Sequence, residues 1–166
     1  MDKNKIEATF AFVKKAMKIV GFKMNYRGMP KVISDDNART SYYLLKEHTV
    51  VLKDGYALAH ELCHSLQPYE TIAKNLHKEW FARDCELQAV AIEKIEDLGL
   101  EKTKWLIDII GNQWSSFEMY CWIDYFYSVL KNRVDSKMAT KPFHLPVSKR
   151  KALNALTDNI NFGEKP

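Results

Sequence analysis

The hydrophobic positions along the first third of the chain fall into two patterns. Over residues 4–20, apolar side chains recur at three- and four-residue steps up to Gly21, which is the period of an amphipathic helix. Three short segments rich in β-branched and aromatic residues follow: KVIS, TSYYLLK and HTVVLKD. Polar turn residues separate them. We therefore predict a helix and three strands, the last two forming a hairpin that turns near Lys46 and Glu47.

From Asp54 onward the pattern is almost entirely helical. The predicted helices cover about residues 54–67, 71–98, 101–112, 115–132 and 148–158. Pro68, Gly99 and Gly111 end the first three of them. No internal repeat or linker divides the chain. The pattern predicts an α+β fold, a single domain over residues 1–166 in which a small three-stranded sheet packs on mostly helical structure.

Composition is that of an ordinary globular protein, with 46% hydrophobic and 28% charged residues. The net charge of +4 is mild and the basic residues are scattered, so a nucleic-acid partner is not expected. The three cysteines suggest no disulfide framework. Lysines interrupt the N-terminal apolar residues, unlike a signal peptide, and no segment approaches the roughly 20 apolar residues of a membrane span. We expect a soluble, cytoplasmic protein.

The segment LAHELCHSLQ, residues 58–67, carries the main candidate chemistry. On a wheel of about 100° per residue, His60 and His64 lie about 40° apart, opposite an arc of leucines and Cys63. Two imidazoles one turn apart on a helix anchored in the core can bind zinc. Glu61 is placed beside them to act as general base on a zinc-bound water. The alternative is a solvated helix face that carries two histidines.

A catalytic zinc needs a third protein ligand and an open position. The candidates are His77, Glu79, Asp84, Glu86 and Glu93. We favour Glu86, because Ala82 and Ala89 flank it with small side chains that let two helices approach closely. Glu93 is the rival, since it forms an E-x-x-x-D pair with Asp97, a spacing typical of a ligand and the group that orients it.

HELCH followed by Glu86-Leu-Gln-Ala89 resembles the gluzincin metallopeptidases, whose pattern is HExxH plus a glutamate on the next helix. The order of elements is similar to minigluzincin domains and to the ImmA/IrrE group of phages and integrative elements. HELCHSLQ, with Gln67, also resembles small phage and bacterial metallopeptidases. The resemblance covers roughly residues 30–98. It implies a zincin-like fold with His60, His64 and Glu86 as zinc ligands and Glu61 as catalytic base.

One position departs from the family pattern. Many gluzincins have an acidic residue or asparagine four residues after the ligand glutamate, where this chain has Val90. The groups that orient the two histidines therefore stay unassigned. So does the donor that would stabilise the transition state, for which the candidates are Tyr69, His77, Arg83, Tyr120 and His144. Cys63 lies on the apolar arc and is expected to be a buried structural thiol.

Together these features predict a zinc-dependent metallopeptidase, a hydrolase that cleaves peptide bonds through a zinc-bound water activated by Glu61. Its substrate would be a protein or peptide. The catalytic core would take about residues 30–98, and a helical C-terminal part about residues 100–166. The hairpin before the motif offers a sheet edge for an extended substrate. The alternative is a zincin-fold binding or regulatory protein of a phage or mobile element that acts without significant proteolysis.

Overall fold

The computed structural model describes residues 2–53, 57–68, 74, 78–131 and 140–161, and in them six helices and three strands. In chain order they are α1 Lys3–Val20, β1 Lys31–Ser34, β2 Tyr42–Leu44, β3 Thr49–Leu52, α2 Leu58–Leu66, α3 Glu79–Leu98, α4 Leu100–Ile110, α5 Ser116–Leu130 and α6 Val147–Asn161. The predicted α+β class is confirmed. None of the described helices is long and apolar enough to cross a membrane.

Helix α1 has a defined start and a defined end. The Asp2 side chain accepts a hydrogen bond from the Asn4 amide at 2.9 Å, which caps the first turn. Gly21 ends the helix with φ of +81° and donates its amide to the Lys18 carbonyl. A Cβ on Gly21 would lie 2.5 Å from the Asn112 carbonyl oxygen. Glycine is therefore required where α1 meets the segment between α4 and α5.

The sheet has the order β1-β3-β2, with β1 parallel and β2 antiparallel to the central β3. The predicted hairpin of the last two strands is thus confirmed. Its turn contains His48, whose φ is +46°. The imidazole of His48 lies between the Tyr43 hydroxyl at 2.7 Å and the Gly28 carbonyl at 2.8 Å, so it fastens the turn. Among the described strands, β2 forms one edge of the sheet.

Two predicted helices begin later than the pattern indicated. Helix α2 starts at Leu58 because Ala57, with φ of +66°, is not helical; residues 54–56 lie outside the described part. Helix α3 starts at Glu79 because Lys78 is extended, with φ of −89° and ψ of 116°. Residues 71–73 and 75–77, which the pattern predicts as part of this helix, lie outside the described part of the chain. Gly99 and Gly111 end α3 and α4 as predicted.

One hydrophobic cluster joins all the described helices and the sheet. Helix α3 lies in its middle and contacts α1, α2, α4 and α5. Its Ala89, Ile92 and Ile95 are fully buried, as are Trp122 and Phe126 of the aromatic helix α5. This packing fixes α3 beside α2, so the two helices that carry the candidate metal ligands are held from several sides.

Candidate metal and catalytic site

The two histidines of α2 lie on the face of the helix turned away from the leucines. Leu58, Leu62 and Leu66 are buried in the core, whereas the His60 and His64 side chains are 13% and 16% exposed. Their ring centroids are 4.9 Å apart and the rings are inclined at 74°. The core therefore anchors one face of α2 and leaves both imidazoles available to a ligand.

Glu86, from α3, brings its carboxylate to both imidazoles. One oxygen lies 3.3 Å from Nε2 of His60 and the other lies 2.8 Å from Nε2 of His64. One ligand atom from each of the three residues lies within 4.8 Å of the others. Ligands bonded to a tetrahedral zinc at about 2.0–2.1 Å are separated from one another by roughly 3.3 Å. Two imidazoles and a carboxylate are donor types that could hold a metal ion, and the two separations from Glu86, 3.3 Å and 2.8 Å, are near this value.

The opposite nitrogen of each imidazole has its own partner. Nδ1 of His60 forms a short hydrogen bond with Glu93, also from α3. Nδ1 of His64 lies 2.9 Å from Oε1 of Gln67, the residue that ends α2. Histidines that bind metals usually donate their other ring N–H to a carboxylate or a carbonyl oxygen. Glu93 and Gln67 thus occupy the two orienting positions that the sequence left unassigned.

The charges of these groups depend on one another. Burial acts to lower the pKa of His60, but its hydrogen bonds to Glu86 and Glu93 outweigh that effect and raise the pKa to about 10. Hydrogen bonds from His60 and from His64 hold the pKa of Glu86 well below its usual range. Burial raises the pKa of Glu61, and the positive charges of His64 and His60 oppose this.

Glu61 lies between two cavities, of about 340 Å³ and about 420 Å³, that flank the histidines. It lines both, as does Ser41, although the Glu61 residue as a whole is only 6% exposed. The larger cavity is also bordered by Arg39, Thr40 and Lys53, and the smaller by Tyr42, Tyr43, Leu45 and Ala82. We describe the two cavities together as a cleft with Glu61 at its middle, because Glu61 and Ser41 line both and segment 39–45 borders both.

The E-x-x-x-D spacing suggested that Asp97 would orient Glu93 if Glu93 were the ligand, but the contacts described for Asp97 are with other residues. Asp97 instead accepts a hydrogen bond from the Tyr127 hydroxyl at 2.8 Å and pairs with Lys131 at 3.1 Å. It therefore faces α5, while Glu93 faces His60. Glu93 and Asp97 are one helical turn apart on α3. Because α3 packs between α2 and α5, Glu93 contacts a residue of α2 and Asp97 contacts a residue of α5.

Of the other residues singled out from the sequence, those that the structure describes lie outside the group formed by His60, His64 and Glu86. Glu79 is 89% exposed and pairs with Arg83 at 3.4 Å. Tyr69 and His77 lie outside the described residues. Cys63 is fully buried, with its Sγ 3.9 Å from Met17 Sδ, and burial raises its pKa far above the usual thiol range. A buried neutral thiol of this kind belongs to the core, as expected.

Sequence reasoning missed two parts of the site. The sequence indicates Gln67 only as part of a motif, and its bond to His64 depends on how α2 ends. The sequence predicts segment 39–45 mainly as a strand and does not identify Ser41, Tyr42 or Tyr43 as cleft residues. Both depend on tertiary contacts, since neither the helical period nor the strand alternation indicates which loop will face a helix.

Comparison of the chain with protein-family models, with curated proteins and with solved structures finds no match. The resemblance to gluzincins therefore depends on the motif residues alone. What the site can do follows from the chemistry and the geometry of its own side chains.

Proposed function

We propose that this protein is a zinc-dependent metallopeptidase of gluzincin type with a zincin-like fold. The observation that carries the proposal is the meeting of His60, His64 and Glu86 beside a buried Glu61 at the middle of a cleft. Zinc is the metal that this donor set favours, because two imidazoles and one carboxylate leave a fourth position open in catalytic zinc sites. When bound, zinc would lower the pKa of a water towards neutrality and polarise the scissile carbonyl.

Glu61 is the group in this cluster that can move a proton. It directly follows one histidine in α2, and it lines both cavities. In the proposed reaction Glu61 accepts a proton from the attacking water and returns it to the amine of the departing peptide. Its raised pKa suits this role, because a base whose pKa lies nearer the working pH also makes a better acid for the second step.

An extended peptide is the substrate that the cleft suits best. Strand β2 pairs only with β3 among the described strands, and antiparallel pairing leaves every second backbone unit of β2 directed to the open edge. Segment 39–45 runs along both cavities, so a peptide added to this edge would pass over Glu61. Tyr42, Tyr43 and Leu45 would surround an apolar side chain at one end. Arg39 and Lys53 border the other end.

Zinc content and hydrolysis test the proposal together. We expect the purified protein to bind about one zinc per chain, His60→Ala to lose it and Glu61→Gln to keep it. Glu61→Gln should also lose nearly all cleavage of an unstructured protein such as casein. Metal analysis and gel-based digestion measure the two properties separately. A wild-type protein that binds no zinc at micromolar concentrations would overturn the proposal.

The Glu61→Gln protein also separates the peptidase from the alternative binding function. This change keeps the shape of the side chain and the zinc ligands but removes the base. If the biological effect of the protein persists in Glu61→Gln, it acts by interaction and not by proteolysis. If the effect is lost while zinc is retained, proteolysis is required.

The third ligand can be assigned by paired substitutions in α3. We expect Glu86→Ala to lose zinc almost entirely, because its carboxylate contacts both Nε2 atoms. Glu93→Gln should keep zinc with an affinity reduced about 10- to 100-fold, as for a group that orients a ligand. The opposite ranking would make Glu93 the ligand.

A further inference from the structure

Gln67 occupies a closed network of hydrogen bonds at the end of α2. Gln67 as a whole is only 2% exposed. Its amide nitrogen lies 2.9 Å from the Cys85 carbonyl oxygen and 3.2 Å from Oε1 of Gln88, and its amide oxygen lies 2.9 Å from Nδ1 of His64. Gln88 in turn donates to the Ser116 hydroxyl at 2.7 Å. The two donors of the Gln67 amide are thereby both used, and its oxygen is left for His64.

The Cys85 carbonyl determines which way the Gln67 amide points. A backbone carbonyl can only accept a hydrogen bond, so the atom of Gln67 that faces it must be the NH₂ group. The amide oxygen must then face His64. Because that oxygen can only accept, Nδ1 of His64 has to carry the hydrogen, and Nε2 is the nitrogen left to bind a metal once its own hydrogen is displaced. Nε2 is the atom directed at Glu86.

The same contact links the two helices that carry the ligands. Gln67 ends α2, and Cys85 directly precedes Glu86 in α3. The Gln67 amide therefore bonds both to the backbone next to Glu86, through the Cys85 carbonyl, and to the imidazole of His64. This one buried amide thus fixes the tautomer of His64 and also holds His64 in position relative to Glu86.

We infer that Gln67 is a positioning residue for the metal, one that fixes His64 to bind through Nε2 and holds it in register with Glu86. This inference rests on the proposed function, because it concerns the affinity for zinc. It does not require the chain to cleave any substrate. Gln88 has a smaller role, since it supports only one of the two Gln67 donors.

Zinc affinity, measured by competition with a chromogenic chelator, tests this role. Gln67→Met keeps the length of the side chain and removes its amide hydrogen bonds, and we expect the zinc affinity to fall about 10- to 100-fold. Gln67→Glu keeps an acceptor for His64 but sets a carboxylate against the Cys85 carbonyl, so it should also weaken binding. Gln88→Met should weaken binding less than either. The two Gln67 variants make the test independent of whether one of them fails to fold.

Thr157→Val is the matched control for a loss that is merely structural. Thr157 is a buried polar residue of α6, 1% exposed, whose hydroxyl bonds only to α6 carbonyls at 3.1 Å among the contacts described. This variant should lower the melting temperature and leave zinc affinity unchanged. Equal affinity in the wild type and in folded Gln67→Met would overturn the role of Gln67 while the proposed function stands. A wild type without zinc would overturn both.

A second measurement needs no substitution. In the zinc-loaded wild-type protein, long-range ¹⁵N NMR should show His64 with a hydrogen on Nδ1 and the metal on Nε2. Zinc on Nδ1 of His64 would contradict the inference, because the Gln67 oxygen could not then accept a hydrogen from that atom.

Discussion

At the scale of single residues, a proton and a zinc ion compete for the same nitrogen of His60. Glu86 contacts Nε2 of His60 and Glu93 contacts Nδ1, so both ring nitrogens face carboxylates. The pKa of about 10 follows from these two contacts against the opposing effect of burial. His60 without metal is therefore protonated at neutral pH, and zinc must displace one proton from it.

We therefore expect zinc affinity to rise with pH. With one proton displaced, the affinity should increase about tenfold per unit between about pH 6 and about pH 8, well below the pKa of His60. Titration against a chelator of known pH dependence measures this slope. In Glu93→Gln, which removes one of the groups that raise this pKa, the slope should level off at a lower pH. An affinity independent of pH would show that His60 carries no proton to displace.

At the scale of secondary structure, the site depends on how helices end. Helix α2 ends at Gln67 in an extended conformation, with ψ of 156°, and this turns the side chain back towards His64. The HExxH motif, the core arc of α2 and the glutamate helix could all be read from helical periodicity. The end of α2 also follows from the sequence, because Pro68 favours an extended Gln67. The contact of Gln67 with His64 and the start of α3 after the extended Lys78 could not be read in this way.

Gly21 gives a test of one such helix end. Gly21→Ala should destabilise the fold by about 1–3 kcal/mol for the left-handed φ, and further because the added Cβ meets the Asn112 carbonyl at 2.5 Å. Gly28→Ala is the control, since Gly28 has φ of +87° but nothing lies within 4 Å of an added Cβ. Free energies of unfolding from denaturant titration compare the two. Equal losses would mean that the contact with Asn112 relaxes without cost.

At the scale of the whole molecule, α3 connects the site to the C-terminal helices. Its Ile92 and Ile95 are fully buried in the cluster that also contains Trp122 and Phe126 of α5. The sequence predicted the fold class and the hairpin. It did not indicate the order β1-β3-β2 or the partners of α3, since strand order and helix packing depend on residues far apart in the chain.

A fragment of residues 30–98 should therefore not fold alone, although it contains every proposed ligand. Without α1 and α5 the apolar face of α3 would be exposed to water. We expect a largely disordered far-ultraviolet circular dichroism spectrum and no zinc binding at the affinity of the full chain. The full chain should instead unfold in one transition, coincident by circular dichroism and tryptophan fluorescence. A folded, zinc-binding fragment would make residues 30–98 an autonomous unit.

The central strand of the sheet is the last of the three in chain order, and this has a kinetic consequence. Strands β1 and β2 both pair with β3 and not with each other, so neither has a partner until β3 is available. The β2–β3 hairpin closes the shorter loop and should form before β1 is added. Because α2 follows β3 in the chain, the two histidines are synthesised soon after the strand that completes the sheet, and they reach their places only when the later helices pack on α2.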